Sequence, residues 1–311
     1  MSKPHLFVNL AGILSANPLN FTCYLQALRI HQWLKNLLLF TPIIAAHQLD
    51  NWQVLKILFL AFYSFSFCAS AVYIINDLLD IESDRQHSHK CMRPFASGVI
   101  PISMGGFLVP LLLLLSMLIS LFVGPIFLHY LACYFFTTCA YSCGLKRWAY
   151  IDCIILALPY TLRMIAGAVA ANIERSFWLL SFSVCLFLSL AFMKRYAELE
   201  TQLLDRKQKI YGRGYYSTDA CLVKILGIAS GFAAILVLML YINSNAILKL
   251  YRNPTVIWGA VPIISFWLSR MWMQAHRGNI HDDPLLFALK DKISLFAGLT
   301  FAVVITISSI G

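Results

Sequence analysis

The chain has 311 residues, of which 60% are hydrophobic and 12% are charged, and its mean hydropathy is +0.74. These values exclude a soluble globular domain and are typical of a polytopic membrane protein. The formal net charge of +10 does not indicate a nucleic-acid-binding protein, because the basic residues lie in short loops beside apolar segments and not in a long basic tail.

Apolar stretches of membrane-spanning length predict an all-α integral membrane protein with nine transmembrane helices, the first and eighth of them short. We expect one membrane domain, residues 25–311, after a segment 1–24 that has no assigned role and no predicted signal peptide. The nine cysteines predict no disulfide framework, since they lie mostly within the apolar stretches. In chain order the predicted spans are 36–47, 53–76, 103–123, 126–143, 149–171, 177–193, 221–243, 256–270 and 292–309.

The 24 Lys and Arg residues are divided unequally between alternate loops. Eighteen lie on one side, whereas only Arg175, Lys249 and Arg252 lie in loops on the other side. The positive-inside rule therefore predicts a cytoplasmic N-terminus and a C-terminus outside. We expect a multi-pass protein of the plasma (inner) membrane.

The most informative polar feature is the run 76–84, at the cytoplasmic end of the second predicted span. In an α-helix, Asn76, Asp80, Asp84 and Asp77 lie at roughly 0°, 40°, 80° and 100°, so that the four side chains share one face. Clustered carboxylates repel each other unless a cation lies between them, and such ligands suit Mg²⁺ that bridges to a substrate's phosphates. We therefore predict a Mg²⁺ site formed by Asp77, Asp80 and Asp84.

A resemblance to a known family rests on this run and on the residues that follow it. The pattern Asn-Asp-x-x-Asp-x-x-x-Asp-Arg, then Lys-x-x-Arg-Pro-x-Ala-Ser-Gly at 90–98, resembles the first signature of the UbiA superfamily of membrane transferases. The resemblance implies a nine-helix bundle whose central cavity opens to the cytoplasm. It also implies that Mg²⁺ and a diphosphate bind at the carboxylates.

Further motifs resemble one branch of that family, the polyprenyl-phosphate (decaprenyl-phosphate) phosphoribosyltransferases. Members that use prenyl diphosphates generally carry a second aspartate-rich motif after the sixth helix, where this chain has Glu198, Glu200 and Asp205. The resemblance implies transfer of phosphoribosyl from phosphoribosyl pyrophosphate to a polyprenyl phosphate. The motifs of this branch are Gln-Trp-x-Lys-Asn at 32–36, Tyr-Ser-Cys-Gly-Leu-Lys at 141–146, Leu-Arg-x-Ile-Ala-Gly at 162–167, Lys-Arg-Tyr-Ala-Glu at 194–198, Arg-Gly-Tyr at 213–215 and the loop 279–291.

The resemblance also implies which residues act on the substrates. The expected catalytic residues are Asn76, Asp77, Asp80 and Asp84, and the expected substrate-binding residues are Lys35, Lys90, Arg93, Tyr141, Lys146, Asp152, Arg163, Lys194, Arg195 and Glu198. Arg163 stands out for a physical reason as well. A cation within an apolar span normally faces a polar cavity or a partner, and Asp152 and the anionic substrate are the candidates.

Other readings stay open at this point. Asp282 and Asp283 precede Pro284 and are as well suited to capping a short helix as to a part in the site. An aromatic prenyltransferase, which joins a polyprenyl diphosphate to a 4-hydroxybenzoate-type acceptor, is disfavoured by the missing second aspartate motif. A transporter or lipid-binding protein would favour polar groups near the middle of several helices, whereas nearly all charge here lies at the cytoplasmic ends. We expect lipid and phosphoribosyl pyrophosphate as partners and no nucleic acid.

Overall fold

The computed structural model describes residues 21–86, 90–204, 214–280 and 283–310, and these residues form helices and no β-strand. The prediction of an all-α protein is therefore confirmed. Residues 1–20, which make up most of the N-terminal segment, lie outside the described residues, and so do Asp205, Arg213 and Asp282 from the loops discussed above.

The α-helices of the described residues are numbered here in chain order, and a 3₁₀ helix at Ile30–Phe40 lies between the first two. The α-helices are α1 (Phe21–Leu28), α2 (Thr41–Ala45), α3 (Trp52–Leu79), α4 (Ile81–Arg85), α5 (Ile102–Val123), α6 (Pro125–Cys143), α7 (Ile151–Ala170), α8 (Phe177–Leu204), α9 (Ala220–Ile242), α10 (Asn245–Leu250), α11 (Ala260–His276), α12 (Pro284–Lys290) and α13 (Lys292–Ile310).

Eight helical segments within the described ranges are long and apolar enough to cross a membrane. They correspond to the second through ninth spans predicted from the sequence, and they identify a multi-pass membrane protein. The count of nine is not confirmed. The eight segments are Trp52–Leu79, Ile102–Val123, Pro125–Cys143, Ile151–Ala170, Phe177–Thr201, Ser217–Ile242, Pro254–His276 and Lys292–Ser309.

The first predicted span, 36–47, differs from a regular membrane helix. Its residues belong to the 3₁₀ helix Ile30–Phe40 and to the five-residue α2. A 3₁₀ helix rises about 2.0 Å per residue against 1.5 Å in an α-helix, so a short sequence covers a longer distance. The 3₁₀ helix packs against α3 and α7, and its buried residues are Lys35, Asn36 and Leu39. It therefore brings polar side chains of the N-terminal motif into the protein interior.

The helices α3 and α7 lie at the centre of the bundle, while α5 and α13 lie at its edge. In the apolar windows of α3 and α7, 61% of the residues are buried, against 17% in those of α5 and α13. Edge helices expose their Leu, Ile and Phe side chains, as lipid-facing helices do. Because α3 ends in the carboxylate run and α7 carries Arg163, the central helices are also the ones that position the candidate site.

Candidate active site

The carboxylate run lies where α3 ends and the short helix α4 begins. Asp80 stands between the two helices, with φ −99° and ψ 7°. Hydrogen bonds of the i to i+4 type continue across this point, from the Asp80 amide to the Asn76 carbonyl (3.0 Å) and from the Asp84 amide to the Asp80 carbonyl (2.8 Å). The chain thus keeps a helical course, but Asp80 turns toward a different partner from those of Asp77 and Asp84.

Asp77 and Asp84 are buried, and both carboxylates contact the guanidinium group of Arg93. The Nη1 atom of Arg93 lies 3.2 Å from Asp77 Oδ1 and 2.6 Å from Asp84 Oδ2. Arg29 adds a second cation, with Nη2 2.5 Å from Asp77 Oδ1. Buried carboxylates are costly unless they are paired and hydrogen-bonded. Both arginines therefore neutralise the two carboxylates in this conformation.

Asp80 is the most accessible of the three aspartates and binds Lys146. Both of its carboxylate oxygens lie 2.9 Å from the Lys146 Nζ atom. The Asp80 side chain is 28% exposed, compared with 2% for Asp77 and 4% for Asp84. Each of the three aspartates thus contacts a Lys or Arg side chain that lies outside the run.

A second charged cluster surrounds Asp283, at the start of α12. Its Oδ2 atom lies 2.6 Å from Lys35 Nζ and 3.9 Å from Lys194 Nζ, and it accepts a hydrogen bond from the Tyr160 hydroxyl at 3.0 Å. Burial alone would raise the pKa of the Asp283 carboxyl, but the two lysines and these hydrogen bonds hold it well below its usual range. The cluster joins the N-terminal motif, α7, α8 and the last loop.

Asp283 is also a helix cap. Its Oδ1 atom accepts the Leu285 amide hydrogen at 3.1 Å, and Pro284 occupies the first turn of α12. The capping interpretation of the sequence thus holds for Asp283. The other carboxylate oxygen of Asp283 contacts Lys35. A capping role is therefore compatible with the alternative interpretation, a part in the candidate site.

Arg163 is buried in α7, and of the two candidate partners named from the sequence, Asp152 and the anionic substrate, it does not contact Asp152. Its guanidinium donates to Asn36 Oδ1 (2.7 Å), to the Pro159 carbonyl (2.8 Å) and to the Tyr134 hydroxyl (3.1 Å). Arg163 and Asp152 lie eleven residues apart on one helix, which separates them by about 16 Å along its axis. In this structure Arg163 ties the 3₁₀ helix to the centre of the bundle.

Asp152 instead forms a fully buried ion pair with Arg195. Arg195 Nη2 lies 2.5 Å from Asp152 Oδ2, and Arg195 also contacts Glu198 on the next turn of α8. The Tyr215 hydroxyl donates to Asp152 Oδ1 at 2.6 Å. Asp152 and Arg195 are both 0% exposed, so neither side chain is accessible to a ligand in this conformation. Their part in substrate binding stays a prediction.

The remaining candidates lie around these clusters. Asn76 is partly buried on the last turn of α3, Lys90 is exposed, and Tyr141 is partly buried near Arg195. The structure thus brings the candidates together in three groups. The first group contains Asp77, Asp84 and Arg93, together with Asp80 and its partner Lys146. The second contains Lys35 and Lys194, which both contact Asp283. The third contains Asp152, Arg195 and Glu198.

Sequence reasoning missed three residues as members of the candidate site, namely Arg29, Tyr160 and Tyr215, and it left the role of Asp283 open. Arg29 binds Asp77, Tyr160 and Asp283 complete the Lys35 cluster, and Tyr215 binds Asp152. Tyr215 lies within a motif of the resemblance, Arg29 three residues before the motif at 32–36, and Asp283 within the last loop. Tyr160 carried no signal in the sequence beyond its position three residues before Arg163.

The carboxylate oxygens of Asp77, Asp80 and Asp84 are chemically suitable ligands for a divalent cation. Carboxylate oxygens are the ligands that Mg²⁺ prefers, and one cationic nitrogen already bridges Asp77 and Asp84, whose bridged oxygens lie at most about 6 Å apart. In this conformation the described residues contain no group of three or more Asp, Glu, His or Cys side chains arranged for one metal ion. A metal ion would therefore bind Asp77 and Asp84 by displacing the Arg93 guanidinium, and Asp80 by displacing the Lys146 ammonium.

Comparison with known proteins places this chain in a family. A model of the UbiA prenyltransferase family matches residues 37–307. The chain is 40% identical to y4nM of Sinorhizobium fredii, over 90% of this chain and 54% of that protein, so it spans about half of that relative's length. It is 33% identical to the nodulation protein NoeC of Azorhizobium caulinodans, over 94% of this chain and 96% of that protein. It is also 33% identical to a decaprenyl-phosphate phosphoribosyltransferase of Mycolicibacterium smegmatis, over 86% of each.

Solved structures share the fold. A UbiA homolog from Archaeoglobus fulgidus bound to GPP and Mg²⁺ superposes with a TM-score of 0.69 at 18% identity, over 91% of this chain and 99% of that one. A digeranylgeranylglyceryl phosphate synthase gives a TM-score of 0.63 at 17% identity, over 93% of this chain and 98% of that one. Together with the family model over residues 37–307, these similarities show that the chain belongs to the UbiA prenyltransferase family of membrane transferases.

Proposed function

We propose that the protein transfers the 5-phosphoribosyl group of phosphoribosyl pyrophosphate to a polyprenyl phosphate and releases pyrophosphate. The observation that carries the proposal is the presence of two separate sets of cations. Arg29, Arg93 and Lys146 lie at the carboxylate run, and Lys35 and Lys194 lie around Asp283. A reaction between two anionic substrates needs positive charge in two places. The similarity to decaprenyl-phosphate phosphoribosyltransferases supports this choice of substrates.

The diphosphate of the donor binds at the carboxylate run in this proposal. Asp77, Asp80 and Asp84 would hold Mg²⁺, which neutralises charge on the diphosphate and so makes pyrophosphate a better leaving group. Arg29, Arg93 and Lys146 already lie within 3.2 Å of these carboxylates. Once a metal takes their place, the three side chains are free to donate hydrogen bonds to phosphate oxygens.

The acceptor phosphate binds at Lys35 and Lys194 in this proposal. One of its oxygens attacks the anomeric carbon of the donor, and the bond from that carbon to pyrophosphate breaks with its electron pair on pyrophosphate. Since the attacking phosphate is already an anion, no strong general base is required. This agrees with the composition of both clusters, which consist of cations and their carboxylate counter-ions together with the Tyr160 hydroxyl.

We also propose that the site faces the cytoplasm, with the N-terminus on that side and the C-terminus outside. The charged side chains of both clusters come from the N-terminal segment, from the end of α3 and the residues after it, from the connector after α6, from α8 at Lys194 and from the start of α12. All of these segments belong to the set of alternate loops that contains most of the Lys and Arg residues. The position of the clusters and the charge asymmetry therefore both support an orientation with the N-terminus in the cytoplasm.

The test is a transfer assay with purified protein in detergent, Mg²⁺, labelled phosphoribosyl pyrophosphate and a polyprenyl phosphate. Label in the lipid fraction, absent with Asp80→Ala, would support the proposal. No such label, together with product from a prenyl diphosphate and 4-hydroxybenzoate, would overturn it in favour of aromatic prenyl transfer. No product from either pair of substrates would favour a transporter or lipid-binding protein.

A further inference from the structure

Lys146 lies on the connector 144–150, which joins α6 to α7. The connector contains one turn of 3₁₀ helix, Leu145–Arg147, and little other regular structure. Its Lys146 ammonium nevertheless lies 2.9 Å from both oxygens of Asp80. A long, flexible lysine keeps such a position only if the backbone that carries it is fixed.

The connector ends in a strained turn. Tyr150 has φ 64° and ψ −42°, and the Ile151 amide donates to the Ala149 carbonyl at 2.8 Å across it. This is a γ-turn with positive φ, which is rare and costly for a residue other than glycine. Strain of this kind persists only where the surrounding structure holds it.

The Tyr215 side chain holds this turn. Its hydroxyl oxygen accepts the Tyr150 amide hydrogen at 2.7 Å and donates its own hydrogen to Asp152 Oδ1 at 2.6 Å. Tyr215 is 0% exposed, so water does not compete for these bonds. The strained residue and the first turn of α7 are thereby attached to one buried hydroxyl group.

Two further contacts fix Tyr215 against the connector. A Cβ atom on Gly214 would lie 2.4 Å from the Arg147 carbonyl oxygen, so the backbone at 214 touches the residue that follows Lys146. Behind Tyr215, Arg195 lies over the ring at 5.6 Å and pairs with Asp152 at 2.5 Å. Together they attach the connector to α8 and to the segment before α9.

We propose that Tyr215 is a positioning residue that acts through Lys146. By holding the γ-turn at Tyr150, it sets where the Lys146 ammonium lies relative to Asp80 and to the diphosphate of the donor. Asp152 and Arg195 support Tyr215 and do not contact substrate. The inference depends on the proposed function only in that Lys146 binds a diphosphate, a group that phosphoribosyl and prenyl donors share.

The test measures binding of Mg²⁺ and pyrophosphate to the full-length protein in detergent by calorimetry. Tyr215→Phe keeps the buried ring and removes the hydrogen bonds to the Tyr150 amide and Asp152, together with the 3.4 Å contact with Cys153 Sγ. We expect the affinity to fall about tenfold. Lys146→Ala should lower the affinity by itself. Adding Tyr215→Phe to Lys146→Ala should then cause no further loss, because a residue that acts through Lys146 has no effect without it.

Tyr196→Phe is the matched control. Tyr196 is also a buried tyrosine, and its hydroxyl pairs with His276 Nδ1 at 2.9 Å, away from the connector. Its substitution should leave pyrophosphate binding unchanged. Asp152→Asn is a second variant, since an asparagine can still accept the Tyr215 hydroxyl hydrogen while it loses the charge, and its effect should likewise disappear in the Lys146→Ala background.

The outcomes separate this inference from the proposed function. If Tyr215→Phe and Asp152→Asn weaken binding equally with and without Lys146, or do not weaken it at all, the positioning role is wrong. If the wild-type protein binds pyrophosphate and shows the coupling but does not transfer phosphoribosyl, only the proposed function fails. If the wild-type protein does not bind Mg²⁺ and pyrophosphate, both fail.

Discussion

Lys35 and Asp283 are 248 positions apart in the chain, and their Nζ and Oδ2 atoms lie 2.6 Å apart. Only 10% of the Lys35 side chain and 8% of the Asp283 side chain are exposed. The pair thus joins the 3₁₀ helix at one end of the sequence to α12 near the other. Tyr160 and Lys194 bring α7 and α8 to the same carboxylate.

Removing one partner of this pair should cost more stability than removing both. Asp283→Ala leaves the buried Lys35 ammonium without its counter-ion, and we expect a loss of about 3 kcal/mol in unfolding free energy. The double variant Lys35→Met/Asp283→Leu removes both charges and should lose less. Denaturant unfolding in detergent measures both. An equal or larger loss in the double variant would show that the charge pair is not what stabilises this contact.

The same pair predicts how stability depends on pH. The pKa of Asp283 is lower in the folded protein than in the unfolded chain, so its contribution is fully present above the unfolded pKa, about 4. It is lost as the pH falls below that value toward the folded pKa. We expect the melting temperature of Asp283→Asn to be lower than that of the wild type at pH 7, with the difference shrinking below about pH 4. A constant difference across that range would contradict this.

The sequence predicted the groups that form the site better than it predicted their partners. Helical periodicity placed Asp77, Asp80 and Asp84 on one side of a helix end, and the structure keeps them in one helical course. Local periodicity carries no information about which distant cation meets which carboxylate. The contact of Asp77 with Arg29 and that of Asp80 with Lys146 depend on tertiary packing.

Two features of the structure go beyond what the sequence indicated. The hydropathy of 36–47 predicted a short span, but hydropathy does not distinguish an α-helix from the 3₁₀ helix that positions Lys35 and Asn36. For Arg163 the sequence offered Asp152 and the anionic substrate as candidate partners, because a cation within an apolar span normally faces a polar cavity or a partner. Buried charges do not require an opposite charge when amide, carbonyl and hydroxyl oxygens accept their hydrogens, as Asn36, Pro159 and Tyr134 do here.

Asp80 and Asp77 should respond differently to substitution by alanine. Asp80 is partly exposed and binds Lys146, so Asp80→Ala should remain folded and inserted while transfer falls by about 10²–10³-fold. Asp77→Ala removes the carboxylate that Arg29 and Arg93 share and should also lower stability. Transfer rates and melting temperatures of both variants give the comparison. Wild-type activity in Asp80→Ala would remove the carboxylate run from the mechanism.

Gly167 should be intolerant of even the smallest side chain, because it allows the 3₁₀ helix to approach α7. A Cβ atom there would lie 2.0 Å from the Leu39 carbonyl oxygen and 2.7 Å from its carbonyl carbon. The nearby contacts of Lys35 with Asp283 and of Asn36 with Arg163 depend on this approach. We therefore expect Gly167→Ala to lower both unfolding free energy, by about 1–3 kcal/mol, and transfer activity.

Gly106→Ala is the matched control for that substitution. Gly106 also lies within a membrane helix, α5, but apart from the adjoining backbone of that helix and its chain neighbours, no atom lies within 4 Å of a Cβ placed on it. Since alanine has the higher helix propensity, this variant should be neutral or slightly stabilising. Denaturant unfolding and the transfer assay are measured on both variants. If Gly167→Ala behaves like Gly106→Ala, the close approach of Leu39 to α7 is not what holds the 3₁₀ helix and its Lys35 side chain in place.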